Sequence, residues 1–252
     1  MVIVLDGASF TISWMTSNVF KSVNWFSKYY WSFMYVNEIP TTPSVLMTMF
    51  TGKRYVEHRV WWFDSIEYDE LNKFRFVWDE AEEESLKVIV SPIPFCRWPY
   101  YKNFALLGEK SWKLTFPSHK DDIIKVTEKL HKLMRLNVIK PWNLFIAYYI
   151  LPDRLYHKNK EPVESFDELI ELIKVYDYAF GLAKDLLNVA KPRKWLVVSD
   201  HSYICPDEFV ENRPPKRKTV HIPEALSITN LPPAPKRPIE VYYWIKRCLH
   251  IA

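Results

Sequence analysis

Apolar residues along this chain gather into short unbroken runs, and between the runs they recur at spacings of three and four. A short apolar run bounded by turn residues reads as a strand buried on both faces, while the longer recurrence reads as a helix packed through one face. The runs are Val2-Ile3-Val4-Leu5, Leu86 to Val90, Leu144 to Leu151, and Trp195-Leu196-Val197-Val198 inside Lys194 to Ser202. Helices are expected from the Thr41–Ser44 region to Gly52, from Ser118 to about Asn137, from Ser165 to about Ala190, and from about Ile239 to Leu249. Strands alternating with helices predict an α/β protein with a mostly parallel central sheet and helices on both faces.

Local chemistry sharpens several boundaries. Thr or Ser beside Pro at Pro40-Thr41-Thr42-Pro43-Ser44 marks a helix start, with a hydroxyl as cap, and Gly52 is the natural stop. Ser165-Phe166-Asp167-Glu168 is a capping box, and its helix turns Leu169, Leu172, Ile173, Tyr176, Phe180 and Ala183 inward. Trp25, Tyr29 and Phe33 fall near helical spacing and are assigned to packing. The acidic stretch Asp79 to Glu84 is expected on a solvated helix face or loop.

With 252 residues, 48% hydrophobic and 25% charged, the chain is globular and long enough for one α/β domain spanning 1–252. Within it, 61–117 has room for a small cap or insert. A net charge of +4 is a mild bias towards anionic partners and no nucleic-acid signature, so no specific nucleic-acid binding is expected. The basic loop with Arg213, Lys216, Arg217 and Lys218 reads as solvated. Three cysteines, Cys96, Cys205 and Cys248, lack metal-finger spacing and point to a reducing compartment. With no signal-peptide pattern and no apolar run long enough to span a bilayer, the expectation is a cytoplasmic protein without membrane contact.

The candidate chemistry lies where strands stop. Three apolar runs end in Asp6, Asp153 and Asp200. Asp6-Gly7 alone reads as a turn pair, and an acid four residues from a histidine, as in Asp153 and His157, is common by chance. Asp200-His201 repeats the theme, and His221 lies downstream. Ligand sites in open α/β sheets lie beyond the carboxyl ends of the strands. Carboxylate oxygens and imidazole nitrogens are donors suited to zinc. Two such sets close together make a two-metal site for in-line displacement at phosphorus. Adjacent residues of a strand face opposite ways, so Asp200 and His201 serve one ion only if the strand stops by Ser199 or Asp200.

The order and spacing of these residues resemble the alkaline phosphatase superfamily, and most closely its type I phosphodiesterase / nucleotide pyrophosphatase-like branch. Val2 to Gly7 is similar to that family's opening strand-Asp-Gly. Pro40 to Val60 is similar to its Pro-Thr…Thr-Gly…Glu-His-Gly block, Asp153 to His157 to its Asp-x-x-x-His, Ser199 to Ser202 to its Ser-Asp-His-Gly, and His221 to its late metal-binding histidine. The resemblance implies an alkaline phosphatase-like fold in a minimal single-domain version. It implies two divalent metal ions, zinc by family expectation with manganese fitting the same ligands. One ion would be held by Asp6, Asp200 and His201 with the nucleophilic hydroxyl, the other by Asp153, His157 and His221.

It further implies a hydrolase of phosphoric esters, a phosphodiesterase or phosphatase acting on a small-molecule phosphoester through a covalent phospho-enzyme. The family's spacing before Thr51-Gly52 selects Thr42 as nucleophile, with Thr41 as the alternative register. The chain departs from the family pattern at Arg59 and Ser202, where relatives keep Gly, and at Phe63, at or near an Asn of the nucleotide pyrophosphatases. The alternative reading is a weakly active or inactive protein of this fold with a binding or regulatory role.

Overall fold

Strand β1 (Val2–Leu5) is the axis of the molecule, pairing in parallel with β4 (Leu144–Tyr149) on one side and β5 (Leu196–Val198) on the other. The computed structural model describes residues 1–62, 65–66, 68–95, 120–157, 166–204 and 220–251. Strand β3 (Val88–Val90) extends the sheet in parallel beyond β4. On the other flank β8 (Glu224–Thr229) runs antiparallel to β5, and β2 (Tyr30–Tyr35) antiparallel to β8. The sheet order is β2-β8-β5-β1-β4-β3. Every residue of β1, β4 and β5 is buried, as near-continuous apolar runs in a covered parallel sheet require.

Helices surround the sheet in two groups. Helix α3 (Thr42–Thr51) packs on α9 (Pro238–Leu249), which also meets α5 (Val77–Glu83). Helix α8 (Phe166–Ala190) packs on α2 (Lys21–Trp25) and α6 (Lys120–Val138). Gly52 ends α3 in the left-handed region at φ 66, and a Cβ there would stand 2.6 Å from the Tyr242 ring. Its two roles, helix stop and close approach of α9, both exclude a side chain.

Four expectations need correction. Phe33 belongs to β2 and not to a helix with Trp25 and Tyr29, because α2 stops at Trp25 and the aromatic run Tyr30–Tyr35 finds a partner strand in β8. Thr41 is the N-cap residue of α3, but its hydroxyl caps nothing and donates instead to the Trp61 carbonyl at 2.7 Å. Within the acidic stretch Glu80 faces inward, accepting from the Tyr242 hydroxyl at 2.5 Å and pairing with Lys246 at 2.9 Å. Of Leu86 to Val90 only Val88–Val90 is strand, and it lies in the central sheet although it falls within 61–117. Ser118, Ser165, Cys96, Cys205, Phe63 and the basic loop at 213–218 lie outside the described residues. Cys248 is a free, half-buried thiol. Among the described residues no helix is long and apolar enough to cross a membrane.

Candidate metal centre

The carboxyl ends of β1, β4 and β5 open on one edge of the sheet, and an acid follows each within four residues: Asp6 directly after β1, Asp200 two residues after β5 and Asp153 four after β4. Asp6 leaves β1 with its N–H donating to the Tyr149 carbonyl, and Asp153 donates its own N–H back to the Asp6 carbonyl, both at 2.9 Å. Asp153 begins the single turn α7 (Asp153–Tyr156), with His157 at its end. Gly7 turns the chain at φ 70, and a Cβ on it would lie 2.9 Å from the Asp153 Cβ. Only a residue without a side chain lets these two strand ends come so close.

Strand β5 stops at Val198, so the geometric condition on Asp200 and His201 is met: both lie in the connection before β6 (Ser202–Ile204). Ser199 anchors that connection, its hydroxyl donating to the Ala8 carbonyl at 2.6 Å. The chain returns as β7 (Val220–Ile222), antiparallel to β6, which sets His221 opposite Tyr203 and brings its ring onto that of His201 at 3.8 Å between centroids. Thr42 reaches the same edge as the first residue of α3. All seven of Asp6, Thr42, Asp153, His157, Asp200, His201 and His221 thus meet at one place, whereas Thr41 is bonded away from it.

The distances describe two touching donor sets. His201 Nε2 is 3.0 Å from Thr42 Oγ1, 3.4 Å from Asp6 Oδ1, 3.4 Å from Asp200 Oδ2 and 3.6 Å from Asp153 Oδ1. Thr42 Oγ1 lies 3.3 Å from Asp6 Oδ1. His157 Nε2 is 3.5 Å from Asp153 Oδ2 and 3.4 Å from His221 Nε2, which is 3.8 Å from Asp153 Oδ1. Four donors placed tetrahedrally at about 2.0–2.2 Å from a zinc ion stand about 3.3–3.6 Å apart, so most of these separations are those of a metal's ligand shell.

Among the described residues, the groups whose donor atoms come within 4.8 Å of one another are Asp153, His157 and His221, the set the resemblance implies, and Asp6, Asp153 and His201, where the resemblance implies Asp200 beside Asp6 and His201. Asp200 Oδ1 accepts from the Gly7 N–H at 3.1 Å while its Oδ2 stays 3.4 Å from His201 Nε2, and Asp153, packed directly on Gly7, belongs to both groups.

Electrostatics support a cation here. Burial, then the nearby Asp153 and Asp200, pushes Asp6 well above the usual carboxylate range. Burial raises Asp200 as well, against the opposing pull of the Gly7 N–H. Asp200 Oδ2 is buried with no hydrogen-bond partner among the described residues, its neighbour being His201 Nε2 at 3.4 Å. The imidazoles are held neutral: burial and the His157 ring lower His201 to about 3, and burial with both neighbouring imidazoles lowers His221 to about 2. Clustered buried carboxylates and neutral imidazoles make a donor set that fits divalent cations.

Two supporting groups escaped the sequence reading. The Tyr148 hydroxyl donates to Asp6 Oδ2, and His221 Nδ1 lies 2.9 Å from the Pro40 carbonyl, which makes Nδ1 the protonated nitrogen and turns the Nε2 lone pair towards His157 and Asp153. Tyr148 stands opposite Val4, two residues before Asp6 on β1, so it shares the face of Asp6. Only the strand register reveals that, and no residue pattern encodes it. Ser202, where relatives keep Gly, is fully buried, and its hydroxyl has no hydrogen-bond partner among the described residues.

No family model and no curated protein matches this chain by sequence. Among solved structures, murine ectonucleotide pyrophosphatase / phosphodiesterase 5, an inactive variant in complex with AMP, superposes with a TM-score of 0.60 at 12% identity, over 100% of this chain and 94% of that one. The human counterpart gives the same score and identity over 100% and 94%. A 2-O GAG sulfatase superposes at 0.63 and 8% identity, over 100% of this chain and 70% of its own. The fold is alkaline phosphatase-like and is shared with these structures. By name these neighbours are a nucleotide pyrophosphatase / phosphodiesterase and a sulfatase, and what they share with this chain is the fold.

Proposed function

We propose that this protein is a metal-dependent phosphohydrolase of small-molecule phosphoesters, with Thr42 as its nucleophile. The observation that carries the reading is the Thr42 hydroxyl, buried within 3.3 Å of Asp6 Oδ1 and 3.0 Å of His201 Nε2. A threonine serving only as a helix residue has no reason to stand between a buried carboxylate and a buried imidazole of this cluster. Asp6, Asp200 and His201, joined by Asp153, would hold one cation, and Asp153, His157 and His221 the other, with zinc or manganese matching the donors. Bound there, two such ions supply Lewis-acid stabilisation of the phosphoryl oxygens and of the attacking hydroxyl.

The chain's own contribution is positioning. Thr42 Oγ1 forms a bond to phosphorus as the bond to the leaving oxygen breaks, and the hydroxyl proton ends on the leaving group. Water then cleaves the phosphothreonine, restoring the hydroxyl and releasing the phosphate. Thr42 is also the first residue of a ten-residue helix, whose unpaired first-turn N–H groups suit phosphate oxygens. The AMP in the murine phosphodiesterase complex supports a small phosphoester as the substrate class.

Metal analysis and assays on p-nitrophenyl phosphate, its bis-ester and its sulfate test the reading together. Thr42→Ala should lower kcat by a factor on the order of 10⁴ or more with metal retained, while Thr41→Ala stays within a few-fold. The reverse ranking would place the nucleophile one residue earlier. Stoichiometric metal without turnover of any ester would leave a binding protein on this fold.

A further inference from the structure

We infer that Tyr148 is a positioning residue of the metal centre, an inference that rests on the metal reading above: its hydroxyl fixes one oxygen of Asp6, so that the carboxylate presents only the other to the site. Asp6 is 5% exposed and Tyr148 3%, so their bond is made away from competing water. Tyr148 O–H donates to Asp6 Oδ2, while Oδ1 is the atom near Thr42 and His201. The torsion that turns a carboxylate is broad and nearly two-fold, so nothing in Asp6 itself selects one presentation. The hydroxyl does.

Tyr148 is well placed to act as a fixed point. It sits in a strand flanked on both sides, opposite Val4 on β1, and its own N–H donates to Ser91 Oγ at 2.8 Å. The same device recurs on two other donors. The Gly7 N–H occupies Asp200 Oδ1, and the Pro40 carbonyl occupies His221 Nδ1, leaving Asp200 Oδ2 and His221 Nε2 towards the site. In each case the protein uses up the far atom and leaves the near one. Those two partners are backbone groups and therefore come with the fold. Tyr148 is a side chain, and a phenylalanine would fill its place in the core without making the bond.

Partners that orient metal ligands from behind are worth about 10–100-fold in metal affinity. Zinc affinity of the full chain, measured by competition with a chelator, should therefore fall about 10–100-fold in Tyr148→Phe, for one of the two equivalents, with near-ultraviolet circular dichroism unchanged. In an Asp6→Asn background, adding Tyr148→Phe should cost nothing further, since the hydroxyl acts through Asp6. Unchanged zinc affinity in the folded single variant, or an equal loss in the Asp6→Asn background, overturns the inference and leaves the metal centre standing. Wild-type protein that binds no zinc or manganese overturns both. Should Tyr148→Phe not fold, 3-fluorotyrosine at position 148 keeps the hydroxyl. Its fluorine resonance must then move as zinc is loaded, and a resonance that stays still overturns the inference.

Discussion

His58, at the end of the short helix α4 (Tyr55–His58), and His221, in the ribbon strand β7, are both well shielded imidazoles held far below the usual histidine range, at about 4 and about 2. Burial is the largest cause in each. Their hydrogen bonds differ. The Val60 N–H donates to His58 Nδ1 at 3.0 Å, which leaves Nε2 protonated and donating to Thr48 Oγ1 at 3.1 Å. Both nitrogens of His58 are spent on the protein, and the ring ties α3 to the chain that follows it. His221 spends only Nδ1 on backbone and turns Nε2 to another imidazole and a carboxylate. Two histidines alike in burial and pKa shift therefore do different work, and the accounting of ring nitrogens separates them where burial does not.

The largest effect that would test this contrast comes from Asp153, which belongs to both donor groups. Asp153→Asn should lose both equivalents of metal and all measurable turnover, whereas His157→Ala should lose one. Metal content by atomic emission decides, and full occupancy in Asp153→Asn would dissolve the shared-ligand arrangement. His58→Leu should behave oppositely. It strands the Thr48 hydroxyl and the Val60 N–H, at a cost of about 2–4 kcal/mol in urea unfolding, and leaves the metal content intact. Because His58 is neutral in the folded protein down to about pH 4 but titrates near 6.5 when unfolded, the unfolded chain binds the extra proton between those values. Its contribution is complete above pH 6.5 and is lost as pH falls towards 4, so wild type should show a pH slope there that His58→Leu reduces. Loss of metal from His58→Leu would erase the distinction between the two histidines.

The smallest effect concerns the residue after His58. Arg59 caps α4 in the left-handed region at φ 60, a conformation costly to any residue with a Cβ and free to glycine. Arg59→Gly should stabilise the protein by about 1 kcal/mol in the same unfolding assay, with metal content and turnover unchanged. A destabilised Arg59→Gly would mean that the arginine side chain holds something worth more than the strain.

Much of the architecture was legible because burial on both faces leaves a plain signature. The runs Val2–Leu5, Leu144–Leu151 and Trp195–Val198 could be little else than core strands, which the structure trims to Leu144–Tyr149 and Leu196–Val198 in the last two, and the acids after them marked the carboxyl edge of the sheet. A helix start in the Thr41–Ser44 region and its stop at Gly52 followed from helix chemistry, which is local, whereas Thr42 over Thr41 came from the spacing of the family it resembles. The errors came where a distant partner decided. Phe33 became strand because β8 was there to pair with β2, and Glu80 turned inward because α9 offered Tyr242 and Lys246.

The sequence by itself set where Asp6, Asp153, His157, Asp200, His201 and His221 stand relative to strand ends and turns, since those are written in near neighbours. Tertiary structure alone decided which of them meet. Asp153 stands beside Asp6 and His201 where Gly7 lets the chain segments after β1 and β4 come into contact. Tyr148 came to stand behind Asp6 through a strand register that places it opposite Val4. Ligand distances are set by how strands pair across more than a hundred residues of chain, and no local pattern carries that information.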